Sequence, residues 1–127
     1  MTRPVARPTE AELEILGVLW NRGPSTVREV HEELRERRVG YTTVLKLLQI
    51  MAEKGLVNRD ESERAHVYRA RLARDQAERQ LVGDLVERAF GGSASRLVLR
   101  ALSSRSASPE EIERIRELLD ELEGGDR

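Results

Sequence analysis

The sequence predicts a mainly α fold with a small β-hairpin wing. It would be a winged helix-turn-helix domain over residues 8–72 plus a C-terminal helical dimerisation domain over residues 73–123. Three observations carry that expectation. Three stretches with apolar residues three and four apart are punctuated by capping residues and glycines. The period then changes to that of strands around a polar loop. The rest of the chain returns to helical period, with more leucine and isoleucine than a short segment covers alone.

The first helix opens at Thr9-Glu10-Ala11-Glu12, where the threonine hydroxyl accepts from the first turn and Glu12 reaches back to the cap. Leu13, Leu16 and Trp20 form its stripe, with Ile15 and Leu19 beside them. Asn21-Arg22-Gly23-Pro24 stops it, glycine as a left-handed cap and proline as a residue that cannot continue. The second helix starts at Thr26 with Glu29 three residues on, and Val27, Val30 and Leu34 are its one apolar stripe. After a break at Arg38-Val39-Gly40, the third runs from Thr42 or Thr43 to Lys54 and ends at Gly55. Val44, Leu47, Leu48 and Met51 face the core, and Thr42, Leu45, Lys46, Gln49 and Glu53 face away. Residues 56–59 and 65–70 form two short strands joined by Asp60-Glu61-Ser62-Glu63-Arg64. Three helices and a hairpin, in that order, are the winged helix-turn-helix arrangement.

Beyond it, residues 74–90 are helical on Leu81, Val82, Leu85, Val86, Ala89 and Phe90, and Gly91-Gly92-Ser93 breaks them. A short apolar helix covers residues 94–102. Ser108-Pro109-Glu110-Glu111 supplies a cap, a first-turn proline and a capping-box glutamate for the last helix, which ends at Gly124-Gly125.

Composition narrows the function. The 127 residues hold 22 Lys+Arg and 23 Asp+Glu, a net charge of −1, and no cysteine, which excludes disulfides, thiol nucleophiles and thiolate metal sites. The two histidines, His31 and His66, are too few for a histidine-rich metal or catalytic centre. Glu32-Glu33 and Glu110-Glu111 solvate helix surfaces or complement the helix dipole, and His31 lies beside an apolar stripe as a half-buried packing residue. No glycine-rich phosphate loop and no Ser-His-Asp set can be assembled. The expectation is a protein that is not an enzyme, with no catalytic site, no metal and no cofactor. The opening residues lack the apolar core of a signal peptide, and no stretch reaches the roughly 18 apolar residues of a membrane span, so no membrane insertion is expected and the location is cytoplasmic.

Charge is divided along the chain. Residues 1–72 carry 13 Lys+Arg against 11 Asp+Glu, a net +2, and residues 73–127 carry 9 against 12, a net −3. Nucleic-acid contact therefore belongs to the first half. A helix that enters the major groove needs an apolar face to hold it and polar side chains on the other to reach bases and phosphates. Thr42, Thr43, Lys46 and Gln49 meet that need on the third helix. Lys46 and Lys54 are also the only lysines in an arginine-dominated chain. With Thr26 and Tyr41, and with Arg59, Arg64 and His66 of the wing, the third-helix residues make the candidate set for double-stranded operator DNA. Asp60, Glu61 and Glu63 repel phosphates within a Debye length of about 8 Å, so the wing arginines are expected at the backbone edge and not on bases. Val67 and Tyr68 pack the wing. Leu81, Leu85, Phe90, Leu97, Ile112, Ile115, Leu118 and Leu122 are the candidate dimerisation residues, to be buried against a second copy. Two other readings stand beside this one: a winged-helix docking adaptor that binds no DNA, and a DNA-binding regulator triggered by a small molecule held between its domains.

The chain resembles the penicillinase and methicillin-resistance repressors, the BlaI/MecI type of bacterial winged-helix regulator. The resemblance covers residues 8–123 and rests on Thr9-Glu10-Ala11-Glu12-Leu13-Glu14-Ile15-Leu16, Leu19-Trp20, Thr26-Val27-Arg28-Glu29-Val30, Tyr41-Thr42-Thr43-Val44-Leu45, Glu53-Lys54-Gly55-Leu56-Val57, Val67-Tyr68 and Phe90-Gly91-Gly92-Ser93. It implies a homodimeric repressor, operators with dyad symmetry, and genes released by a sensor system. Members under a membrane protease sensor are cut at an Asn-Phe bond. Arg100-Ala101 stands at that place here, a departure from the pattern such cleavage reads. A copper-responsive branch uses a C-terminal cysteine cluster, and this chain has no cysteine.

Overall fold

The computed structural model describes residues 7–124. The opening residues read for a leader, up to Ala6, and Gly125 after the last helix lie outside the described residues. The chain divides into two compact units between Leu81 and Val82.

The first unit contains α1 (Glu10–Arg22), β1 (Ser25–Thr26), α2 (Val27–Glu33), α3 (Tyr41–Lys54), β2 (Val57–Asp60), β3 (Val67–Ala70) and the start of α4 (Arg74–Arg88). Both expected capping boxes are formed. The Thr9 hydroxyl accepts from the Glu12 amide at 3.2 Å, and the Glu12 carboxylate accepts from the Thr9 amide at 2.9 Å. Thr26 and Glu29 repeat the pair at 3.2 and 2.9 Å. Gly55 ends α3 in the left-handed region at φ 83° and ψ 14°. Gly23 also takes a positive φ, 95°, but with ψ −168° it is not the left-handed cap expected from sequence.

The wing is a three-stranded antiparallel sheet in the order β1-β3-β2, whereas the apolar pattern predicts a hairpin alone. Ser25 pairs with Tyr68 and Thr26 with Val67, and on the other edge Val57 pairs with Ala70 and Asp60 with Val67. Two residues carry no readable period, so β1 exists only because β3 lies beside it. Asp60 joins the strand and not the loop, and α3 starts at Tyr41, a residue earlier than its threonines suggest.

The core collects Ile15, Leu16 and Leu19 of α1, Val27 and Val30 of α2, Val44, Leu48 and Met51 of α3, and Leu56, Val57 and Tyr68. Trp20 and Leu47, expected in the stripes, are only partly buried, and Leu45, expected to face away, packs partly against the core. Trp20 donates its indole N–H to the Leu72 carbonyl at 2.9 Å, and the Arg74 guanidinium lies 5.5 Å from its ring. Ala77 is buried in the same core, so the start of α4 belongs to the first unit. Glu12 is buried as well, and Lys54 donates to both of its carboxylate oxygens at 2.9 Å. That ion pair ties the start of α1 to the end of α3.

The second unit continues α4 and adds α5 (Ala94–Ser104) and α6 (Pro109–Gly124). Ser93 caps α5 by accepting from the Arg96 amide at 3.2 Å, and Ser108 with Glu111 forms a capping box on α6 with both bonds at 3.1 Å. Compared with expectation, α4 stops at Arg88 and α5 extends to Ser104. No described residue from Val82 onward is buried.

Candidate nucleic-acid interface

Thr42, Lys46, Gln49 and Glu53 follow one another on α3 at spacings of four, three and four, which places them on one stripe of the helix. All four are exposed, as are Tyr41 and Thr43, while Val44, Leu48 and Met51 on the opposite face are fully buried. The helix is therefore anchored by one side and free to be read on the other. Its N-terminus differs from those of α1 and α2. Gly40 offers no side-chain cap and the first turn holds no acid, so the positive end of the dipole and its orphan N–H groups have no side-chain partner.

The structure sorts the cations by whether a carboxylate already holds them. Arg22 pairs with Glu29 at 2.6 Å and with Glu33 at 3.4 Å, Arg37 pairs with Glu14 at 3.1 Å, and Lys54 with Glu12. The amide of Thr26, together with the guanidinium of Arg22, holds the Glu29 carboxyl below its ordinary pKa, and Glu29 in turn raises that of Arg22. Arg28, Arg35, Arg38, Lys46 and Arg64 are among the described cations with no ion-pair partner, and all five are exposed. Arg38 adopts φ 57° just ahead of α3.

The candidate residues take distinct places. Thr26 is half-buried, its hydroxyl committed to capping α2 and its backbone to β1. Tyr41 is exposed at the first turn of α3 and meets His31 edge to face, ring centres 5.8 Å apart. Arg59 sits opposite Tyr68 in the sheet. It lies 3.5 Å from Glu61, and the neighbouring Tyr68 hydroxyl together with that carboxylate raises its pKa. Glu61 also stands 3.9 Å from His66. Asp60 accepts from the Ser62 amide at 2.9 Å, and bonds from the Ser62 hydroxyl and amide hold its carboxyl below the usual range. Two of the three wing acids are thus engaged locally, and Arg64 projects from the loop without a partner.

Gln49, Ala52, Glu53 and Arg59 line one shallow groove of about 420 Å³ that joins α3 to β2. The fold brings Gln49 and Arg59 together from separate elements, and it adds Glu53, which the sequence places on the right face without giving it a role. The signal was present in the continued spacing of the stripe. The pairing of Tyr68 with Arg59 had no such signal, since only strand register sets it. A second depression between α1 and α2 is lined by Glu14, Arg22, Glu33 and Arg37, whose charges already pair with one another.

In the second unit, Leu81 (which precedes the division on α4), Phe90, Leu97, Ile112 and Ile115 are half-buried, and Leu85, Leu118 and Leu122 are exposed. Val82, Val98, Leu99, Leu102 and Leu119 join the exposed set, Leu99 at 65%. Among the described residues no group of His, Asp or Glu is placed to hold a metal ion, and no helix is long and apolar enough to cross a membrane.

Residues 8–121 match a family model described as penicillinase repressor. The transcriptional regulator BlaI of Mycobacterium tuberculosis is 35% identical over 123 residues, covering 95% of this chain and 88% of that protein. The penicillinase repressor of Staphylococcus aureus is 21% identical over 113 residues, 88% of this chain and 90% of its own. The solution structure of the DNA-binding domain of the repressor BlaI superposes with a TM-score of 0.52 at 24% identity, covering 59% of this chain and 93% of that one. The Bacillus licheniformis BlaI monomeric form, determined in complex with the blaP half-operator, matches over the same shares with a TM-score of 0.50.

Proposed function

Because the chain belongs to the penicillinase repressor family, it is a DNA-binding transcriptional repressor, and we propose that it acts in the cytoplasm as a homodimer on a dyad-symmetric operator. In this reading α3 lies in the major groove. The observation that carries it is the division of that helix: a fully buried apolar face against an exposed stripe of Thr42, Lys46 and Gln49, with Lys46 held by no acid. Lys46 reaches guanine or a phosphate, Gln49 pairs with adenine, and Thr42 and Thr43 position the helix start near a phosphate or a thymine methyl. Tyr41 stands at the same end. Arg59, Arg64 and His66 bring the wing to the backbone, and Thr26 acts through the helix it caps. Two reading helices related by a dyad select half-sites one helical turn apart or a multiple of it.

The second copy covers the apolar surface of the second unit, from Leu81, Leu85 and Phe90 to Leu97, Ile112, Ile115, Leu118 and Leu122. A unit with no buried side chain among its described residues from Val82 onward lacks a core, and each leucine or isoleucine covered contributes roughly 1.5–3 kcal/mol. A membrane protease sensor, the upstream partner the resemblance implies, would meet Arg100-Ala101 inside α5.

Fluorescence anisotropy on the chain's own promoter region against random duplex tests the reading. Lys46→Ala with Gln49→Ala should weaken operator binding selectively, by roughly 1–3 kcal/mol for each base-reading side chain removed, while random duplex is affected far less. Unchanged operator affinity in that double variant removes α3 as the reader.

A further inference from the structure

We propose that Glu53 is a specificity-determining residue whose carboxylate accepts a hydrogen bond from the N4 amine of a cytosine in the major groove. The inference rests on the DNA-binding reading above and concerns the end of the α3 stripe that lies beyond Gln49.

Glu53 continues the row of Thr42, Lys46 and Gln49 and is exposed. It has no ion-pair or hydrogen-bond partner among the described residues, although Arg59 lines the same groove. Arg59 is instead paired with Glu61 at 3.5 Å. Helix stability does not explain the carboxylate either. It stands in the last turn of α3, the negative end of the helix dipole, where an acid is unfavourable. A free negative charge on a surface that meets DNA is repelled by phosphates within a Debye length, about 8 Å. The donors a duplex can offer it lie on the base edges.

Base chemistry narrows the choice. In the major groove guanine presents two acceptors, thymine an acceptor and a methyl group, and adenine an acceptor beside its amine. Cytosine alone presents a donor with no acceptor next to it. The neighbours fit a base at that point. Ala52 is small and leaves room beside the carboxylate. Glu61 occupies only part of the five N–H donors on Arg59, so the guanidinium keeps donors for the adjoining phosphate. The carboxylate and the guanidinium then read one nucleotide together, acceptor toward the base and donors toward the backbone.

The test is selection from a duplex library randomised across one half-site, with the full-length chain and its E53A and E53Q variants, followed by anisotropy on the selected sequences. The wild-type chain should require cytosine at one position, preferring it by about 5- to 20-fold. E53A should lose that preference at that position alone. E53Q, whose amide pairs with adenine, should move it from cytosine to adenine. Identical selection by all three proteins overturns the proposal. So does a uniform gain in affinity of E53A for every sequence, which would make Glu53 a general source of repulsion. A wild-type chain that selects no sequence at all refutes the DNA-binding reading itself, and this inference with it.

Discussion

Lys54→Met should destabilise the first unit severely, because it leaves a charge buried without its partner. The Glu12 side chain is 2% exposed and receives both of its cationic bonds from the Lys54 ammonium, at 2.9 Å each. Removing one member of a buried pair costs roughly 3–5 kcal/mol, since the remaining ion keeps its desolvation penalty. Two features reduce the figure here. Lys54 is 31% exposed, so water already screens its end of the pair, and Glu12 retains the Thr9 amide at 2.9 Å. The expected loss is therefore about 2–4 kcal/mol, or a fall in Tm of roughly 10–25 °C for a unit of this size. Adding Glu12→Gln should recover most of it, because glutamine still accepts the capping bond and carries no charge. Trp20 is the only tryptophan and lies in this unit, so its fluorescence in a denaturant titration reports the relevant transition. The reasoning fails if Lys54→Met unfolds within about 0.5 kcal/mol of the parent, or if the double variant is as unstable as the single one.

Acid should weaken α2 first through Glu29. Its folded pKa is lowered from the ordinary 4.5, so the stability it lends is present above that value and lost as pH falls through the folded one. Glu29→Gln should flatten the fall in Trp20-monitored stability below that pH, and an unchanged acid slope would remove Glu29 as a contributor. Leu118→Asp with Leu122→Asp, two exposed candidate dimerisation residues of the second unit, should give a monomer in sedimentation while the Trp20 transition is preserved. Such a monomer should lose operator affinity steeply, because the second half-site no longer binds intramolecularly. A dimer that survives both charges places the interface elsewhere.

The elements of this protein were legible because their signals are local. Thr9 with Glu12, Thr26 with Glu29, and Ser108 with Glu111 each sit three residues apart, and a capping box needs nothing from the rest of the chain. The apolar period of α3 likewise separates the buried face from the exposed one, so the exposed stripe follows from the residues alone. Long-range geometry decided the rest. β1 is two residues long and is a strand only through its pairing with Tyr68 and Val67. Glu12 reads as a cap and is also a buried anion, because the end of α3, 42 residues away, brings Lys54 to it. The distinction between the chain's two lysines comes from the same source: one is bound by a carboxylate and the other, Lys46, faces solvent without one. Strand register sets Arg59 opposite Tyr68, and Glu53 lines a groove only because β2 stands beside it. Periodicity and capping depend on neighbours a few residues apart, whereas strand register, charge pairing and groove shape depend on interactions that exist only after the chain has folded.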